Sequence, residues 1–318
     1  MALTLHIGAH KTASTHLQQT LRALTGAMIR EGILYLDPVT LRRGSGRLDL
    51  SLDNGPKAAR RRGPWRRWMD RAAEVWPSLL LSEENALGSL RRGALMGEGG
   101  LIYPEAERRM DRLCNIARRR PAVVCLAVRD PLSFLGSAFS MQVVGGHETE
   151  FADYVGGFDP AALSWSGLAE RLMSVRGVAQ LVVWRHEDYP RARPEVLRAM
   201  LPEALAAHAP NPRRAIVGLS QEAWDEIRRR RESDPDADLA EVARAAKALF
   251  PRRRGAPAPQ FAPPAAVARV AAAHAEDLAR LAALEGVEMI GAPARRVRRG
   301  KGRTGVVTGE VSRGAGAG

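Results

Sequence analysis

The chain has 318 residues, 45% of them hydrophobic and 26% charged, with a formal net charge of +13. That composition suits a globular protein with a substantial core; no apolar run approaches the roughly 20 residues of a membrane span, and two cysteines, Cys114 and Cys125, argue against a disulfide framework. The excess charge is concentrated in residues 57–71 and 293–318, each at +6, with no helix-turn-helix, finger or aromatic-bearing sheet motif beside it, so specific nucleic-acid binding is not expected.

Residues 3–31 carry the strongest signal. The apolar run Leu3 to Ile7 predicts a strand that stops at Gly8, and Leu17, Leu21, Leu24 and Met28 predict a helix after the small and hydroxylic residues GAHKTAST. Because the strand starts at once, no signal peptide is expected and a cytoplasmic location is the default. In a strand–loop–helix unit the loop N–H groups and the positive end of the helix converge on one point, which favours an anion. Lys11 adds a full charge there, and the hydroxyls of Thr12, Ser14 and Thr15 add donors. The spacing is not that of G-x-x-x-x-G-K-[ST], since Lys11 follows Gly8 by three residues and His10 precedes it.

The string HIGAHKTASTHLQ closely resembles the 5′-phosphosulfate loop of sulfotransferases that use 3′-phosphoadenosine 5′-phosphosulfate (PAPS), usually written K-[ST]-G-[ST]-[ST]. Ala13 stands where that family has glycine, which requires a negative φ at this position. The resemblance implies that Lys11, Thr12, Ala13, Ser14 and Thr15 bind the phosphosulfate and that Lys11 is also catalytic.

Gly32 breaks the first helix and Ile33 to Leu36 offer a short strand. Residues 39–63, with Gly44, Gly46, Gly55 and Pro56 among charges, read as a loop or flexible insert. Pro64 is expected to open an amphipathic helix through Trp65, Trp68, Ala72 and Val75. The run Leu79 to Leu81 suits a buried parallel strand, with Ser82, Glu83, Glu84 and Asn85 at its carboxyl end, where open α/β sheets place their chemistry. Many bacterial and carbohydrate sulfotransferases carry a Ser-Glu pair here, which implies Glu83 as general base; Glu84 is the neighbouring candidate, and Ser82 as a helix cap is the structural alternative.

A helix from Pro104 to Arg119 leads into AVVCLAVRDPLSFLGSAFSM. Val123 to Val128 reads as a central strand, Arg129 stands at its end, and Pro131 opens a helix containing Ser137. An arginine at a strand end with a serine eight residues later resembles the family's 3′-phosphate site, implying that Arg129 and Ser137 grip that phosphate; the alternative is an arginine paired with Asp130 or another carboxylate. His147 and Glu148 are exposed candidates for acceptor contact. Ala179 to Trp184 supplies another strand, and the VVWRHEDY segment is left outside the site. Helices are expected over Pro190–Leu201, Ser220–Arg231, Leu239–Leu249 and Pro264–Leu284, then a last strand within Gly286–Ile290.

The expected fold class is therefore α/β, a P-loop-like parallel sheet flanked by helices, with a helical C-terminal half and a disordered basic tail at 292–318. The resemblance implies one sulfotransferase-like domain over 1–291, PAPS as co-substrate without a metal, and sulfuryl transfer to a hydroxyl or amine, a carbohydrate being the favoured acceptor. His10 and His16 flank the loop as reserve bases. A nucleotide-dependent kinase or a noncatalytic nucleotide-binding module is the alternative function.

Overall fold

The computed structural model describes residues 1–98, 101–147, 150–212, 218–253, 256 and 258–291. Glu148 and the basic tail at 292–318 lie outside them. Six strands, β1 (Ala2–His6), β2 (Ile33–Leu36), β3 (Ser78–Ser82), β4 (Ala122–Val128), β5 (Val178–Arg185) and β6 (Val287–Met289), form one parallel sheet in the order β2-β3-β1-β4-β5-β6.

The alternation of side chains along each strand divides the core in two. Leu3, Leu5, Leu79, Leu81, Val124, Leu126, Leu181 and Val183 face one side, where the helices Ala106–Ile116, Pro131–Val144 and Trp165–Met173 bring Met110, Leu113, Phe134, Leu135, Trp165 and Leu168. Leu80, Cys125, Ala127, Val182 and Trp184 face the other, under Leu17, Leu21, Val196 and Leu197 of the helices Ser14–Ala23 and Tyr189–Arg198. With both faces covered, the strands need no polar side, which is why they read as continuous apolar runs. Both cysteines are buried free thiols. Among the described residues no helix is long and apolar enough to cross a membrane.

The chain leaves β1 toward β3 and β2 and later crosses back to β4, so β1 and β4 are neighbours whose following loops diverge. A crevice outside the carboxyl ends of such strands is where open α/β sheets bind ligands. The Lys11 loop follows β1, and Arg129 follows β4.

Three local expectations need correction. The stretch 39–63 is built of helices: Pro38–Leu41 capped by Asp37, then Leu48–Ser51, then the first half of Pro56–Val75. Its Leu41, Leu48, Leu52 and Ala58 are buried, and Arg109 reaches in to the Asp49 carbonyl at 3.0 Å. Helices of four residues are too short to display a period, so the glycines dominated the reading. Pro64 lies inside the long helix; Pro56 opens it. The first helix is two, Ser14–Ala23 and Thr25–Arg30, joined at Leu24.

Candidate active site

After β1 the backbone enters a compact loop that alternates hand, with φ of +66° at Gly8, +63° at Lys11 and +67° at Ala13. Such alternation turns successive N–H groups inward into an anion-binding concavity. Among the described residues the N–H groups of Lys11, Thr12, Ala13, Ser14 and Thr15 meet no protein acceptor, and the helix starting at Ser14 has no side-chain cap. The Ser14 hydroxyl is buried without a partner. A Cβ on Gly8 would stand 2.9 Å from that hydroxyl, so glycine is needed both for its φ and for the close approach. Orphaned donors around one point are what a bound oxyanion would satisfy.

Ala13 departs from the expectation of a negative φ, since it occupies the left-handed region that L side chains avoid at a cost of about 1–2 kcal/mol. Ala13→Gly is expected to stabilise the fold by about 0.5 kcal/mol, the relieved strain being partly offset by glycine's freedom in the unfolded chain. Thermal unfolding checks this, and a lowered Tm would contradict the strain. The Thr12 hydroxyl is also not where the sequence suggests. It donates to the Ala9 carbonyl at 2.5 Å, inside the loop, leaving Thr12 only its N–H to offer a ligand.

The Lys11 ammonium lies 3.9 Å from the sulfur of Met141. Burial, Arg129 and Lys247 all push its pKa down, so the cation sits among other cations with little compensation. Arg129 joins the loop directly: one terminal nitrogen donates to the Lys11 carbonyl at 2.7 Å, while the other terminal nitrogen and Nε both reach the Ser133 hydroxyl, at 2.7 and 3.0 Å. Among the described residues it has no hydrogen-bonded carboxylate, which removes the Asp130-pair alternative; Asp130 instead caps the following helix through the Ser133 N–H at 2.8 Å. Burial, with Arg252 adding to it, lowers the Arg129 pKa to about 10 against the pull of Glu187. It remains a cation at neutral pH, short of a counter-charge.

Arg129, Ser133, Ser137, Ser140 and Arg252 line a cavity of about 40 Å³, closed by Leu132, Leu219 and Phe261. Phe261 lies over Gly136, where a Cβ would come within 2.9 Å of its ring. Arg129 and Ser137, eight residues apart, are thus brought to one cavity. Ser133 and Arg252 were missed by sequence reasoning. Ser133 stands one turn into the helix after Arg129, a spacing that carries no special signal, and Arg252 was submerged in a general arginine excess.

Glu83 and Glu84 lie on the other side of the loop, at the end of β3. Glu83 is 2% exposed. Its carboxylate receives Nε of Arg42 at 2.9 Å and a terminal nitrogen at 2.5 Å, and it accepts the Asn85 N–H at 2.9 Å. Burial pushes its pKa up, while Arg42 opposes the rise. Burial also pushes Glu84 up, but Arg42 at 3.0 Å and the Gln18 amide at 2.8 Å leave it below its ordinary value. Burial thus outweighs Arg42 at Glu83, while the Arg42 and Gln18 donors outweigh burial at Glu84. Arg42, from the stretch taken for a loop, could not be foreseen.

Ser82 is not a helix cap. Its hydroxyl meets His6 Nδ1 at 2.7 Å and the Gln18 amide at 3.2 Å, and Glu83 caps the short turn Glu84–Ala86. His10 is held at both ring nitrogens, by the Tyr103 hydroxyl at 2.9 Å and Asn85 Oδ1 at 3.0 Å, and burial lowers its pKa. His16 is held by the Tyr189 hydroxyl at 3.2 Å and the Pro212 carbonyl at 2.9 Å. Neither histidine offers a free nitrogen to a substrate. His147 is exposed in the turn after the Ser137 helix. Among the described residues no cluster of three or more His, Cys, Asp or Glu side chains is placed to hold a metal ion.

No protein-family model matches the chain, and no curated protein matches it. Among solved structures, it is similar to a sulfotransferase from Alicyclobacillus acidocaldarius, at a TM-score of 0.38 and 12% identity over 80% of this chain and 97% of that one. At that level of likeness the chemistry has to be read from the residues themselves.

Proposed function

We propose that the protein is a sulfotransferase that moves a sulfuryl group from PAPS to an acceptor hydroxyl or amine. One observation carries this reading: Arg129 joins the loop after β1 to the cavity after β4, bonded to the Lys11 carbonyl and lining the cavity with Ser133, Ser137 and Arg252. A ligand with phosphate-type groups at two separated ends matches that pair better than a single phosphate chain does.

The residues fit the donor. The N–H groups of Lys11 to Thr15 and the orphaned Ser14 hydroxyl would hold the phosphosulfate end, and Arg129, Ser133, Ser137 and Arg252 the 3′-phosphate. Arginine suits that task because its planar fork binds two oxygens and keeps its charge. In transfer, the acceptor oxygen bonds to sulfur as the bond from sulfur to the bridging phosphate oxygen breaks. Lys11 and the loop amides offset the charge that grows on that leaving oxygen, an interaction strongest in the transition state. Glu83 accepts the acceptor's proton. The resemblance of the Ser82-Glu83 pair to the Ser-Glu pair of carbohydrate sulfotransferases favours a carbohydrate hydroxyl as acceptor.

Thermal denaturation with ligands tests the reading. 3′-Phosphoadenosine 5′-phosphate is expected to raise Tm more than ATP with Mg²⁺ does, because a ligand that binds only the folded state stabilises it. Strong stabilisation by Mg-ATP with none by the bisphosphate would transfer the site to a nucleotide-dependent kinase.

A further inference from the structure

A second cavity, of about 250 Å³, lies between the helices Pro56–Val75 and Ala106–Ile116, away from the strand ends. Arg62, Arg66, Arg112, Asp111 and Asn115 line it. Its three guanidiniums are fixed by neutral acceptors. Arg62 donates to the carbonyls of Ser51 and Asp53, both at 2.8 Å, Arg112 to the Leu52 carbonyl at 2.7 Å and Asn54 Oδ1 at 2.6 Å, and Arg66 to Asn115 Oδ1. The one carboxylate on the wall, Asp111, is taken by Arg119 at 2.7 Å. Three preorganised cations thus share a cavity with no carboxylate bonded to any of them among the described residues. Burial and the neighbouring Arg62, Arg108 and Arg109 lower the Arg112 pKa, as crowding of like charges should.

Such a wall recognises an anion, and its other members narrow the class. Asp111 and Asn115 add hydrogen-bonding groups suited to hydroxyls, and a carboxylate on the wall is unfavourable for the dense phosphates of a duplex. Among the described residues no aromatic ring lines the cavity to stack a base. Position also matters. Arg109, one turn before Arg112 on the same helix, donates to the Asn85 carbonyl at 2.8 Å and the Ala86 carbonyl at 3.1 Å, directly after Glu83. The cavity and the segment after Glu83 are therefore held by neighbouring turns of one helix.

We infer that the cavity of Arg62, Arg66 and Arg112 binds an anionic sugar residue, carrying a carboxylate or sulfate ester, of an oligosaccharide that the protein acts on. The identity of that oligosaccharide as the acceptor rests on the sulfuryl-transfer reading. The binding site itself rests on the wall just described. Lys57, Arg60, Arg67 and Arg71 are exposed on the same long helix but do not line the cavity.

Titration calorimetry with short dextran sulfate, and with unsulfated dextran as the neutral control, tests the site on the full chain. Arg66→Gln is expected to weaken dextran sulfate binding about tenfold, the worth of one charge-assisted hydrogen bond. Arg60→Gln and Arg71→Gln remove the same charge from the outward side of the same helix and should change it by less than about twofold. Asn115→Asp, which adds a carboxylate to the wall without removing an arginine, should weaken it as well, so the test does not depend on one variant folding. Equal losses in Arg60→Gln, Arg71→Gln and Arg66→Gln would overturn the site in favour of diffuse attraction. So would unchanged binding in Arg66→Gln, and tighter Arg66-dependent binding of duplex DNA would make the partner a nucleic acid. The bisphosphate melting shift is read on the same samples. Its absence beside Arg66-dependent binding would remove the cofactor reading and leave the sugar site, and the reverse pattern would do the opposite.

Discussion

Glu83→Gln is expected to cut turnover by about 10²–10⁴-fold, the usual contribution of a general base, while the bisphosphate still binds. Glutamine keeps the shape and one acceptor oxygen for the Asn85 N–H, but it cannot take a proton, and its amide group meets the donors of Arg42. Some thermal stability is therefore lost along with activity. Bisphosphate binding separates the two effects, because the Lys11 loop and the Arg129 cavity do not use Glu83. The pH profile gives a second readout. Burial holds the Glu83 carboxyl above its ordinary value of 4.5, and a base works only when ionised, so the acid limb of the rate should fall at a higher pH than an ordinary carboxylate gives. Loss in Glu84→Gln with full activity in Glu83→Gln would move the base by one residue. Full activity in both would end the carboxylate mechanism.

Arg129→Ala should weaken bisphosphate binding by about 2–5 kcal/mol, the cost of removing one partner of a desolvated charge pair. Two losses combine in it. The cavity loses its buried cation, and the Lys11 carbonyl loses the donor that ties the loop to β4. Arg129→Lys keeps a charge without the fork and should recover only part of the affinity. Equilibrium titration checks both variants, and an Arg129→Ala affinity within about twofold of wild type, far below the energy such pairs carry, would place the 3′-phosphate elsewhere.

The placement of these two stretches was legible in the sequence because each is local. Gly8 to Thr15 and Arg129 to Ser137 each stand at a strand end followed by a helix, and a run such as Leu79 to Leu81 marks a strand buried on both faces. What escaped was non-local or had no period. Arg42 lies in a stretch whose four-residue helices leave no pattern, and its grip on Glu83 spans 41 positions. Arg252 reaches the Arg129 cavity from far along the chain, in a wall it shares with Phe261, which packs over Gly136. The hand of Ala13 was misread because a motif position says which residue is usual there, while the conformation is imposed by the loop's neighbours. Those neighbours include the Tyr103 hydroxyl, which takes the His10 N–H at 3.1 Å.

The buried Asp277 carboxylate, on the helix Pro264–Ala283, accepts the Trp165 N–H at 2.7 Å and the hydroxyls of Ser164 and Ser166 at 2.8 and 2.6 Å. The Trp165 indole in turn donates to the Arg129 carbonyl at 2.8 Å, and Arg129 holds the Lys11 carbonyl. The Lys11 loop is thus pinned, through three links, to a residue far along the chain. The two motif stretches are complete by position 137, yet the last pin lies 140 positions further on. The loop's geometry therefore rests on a long-range contact, and a fragment ending at position 137 would carry both stretches without the carboxylate that holds the chain of links in place.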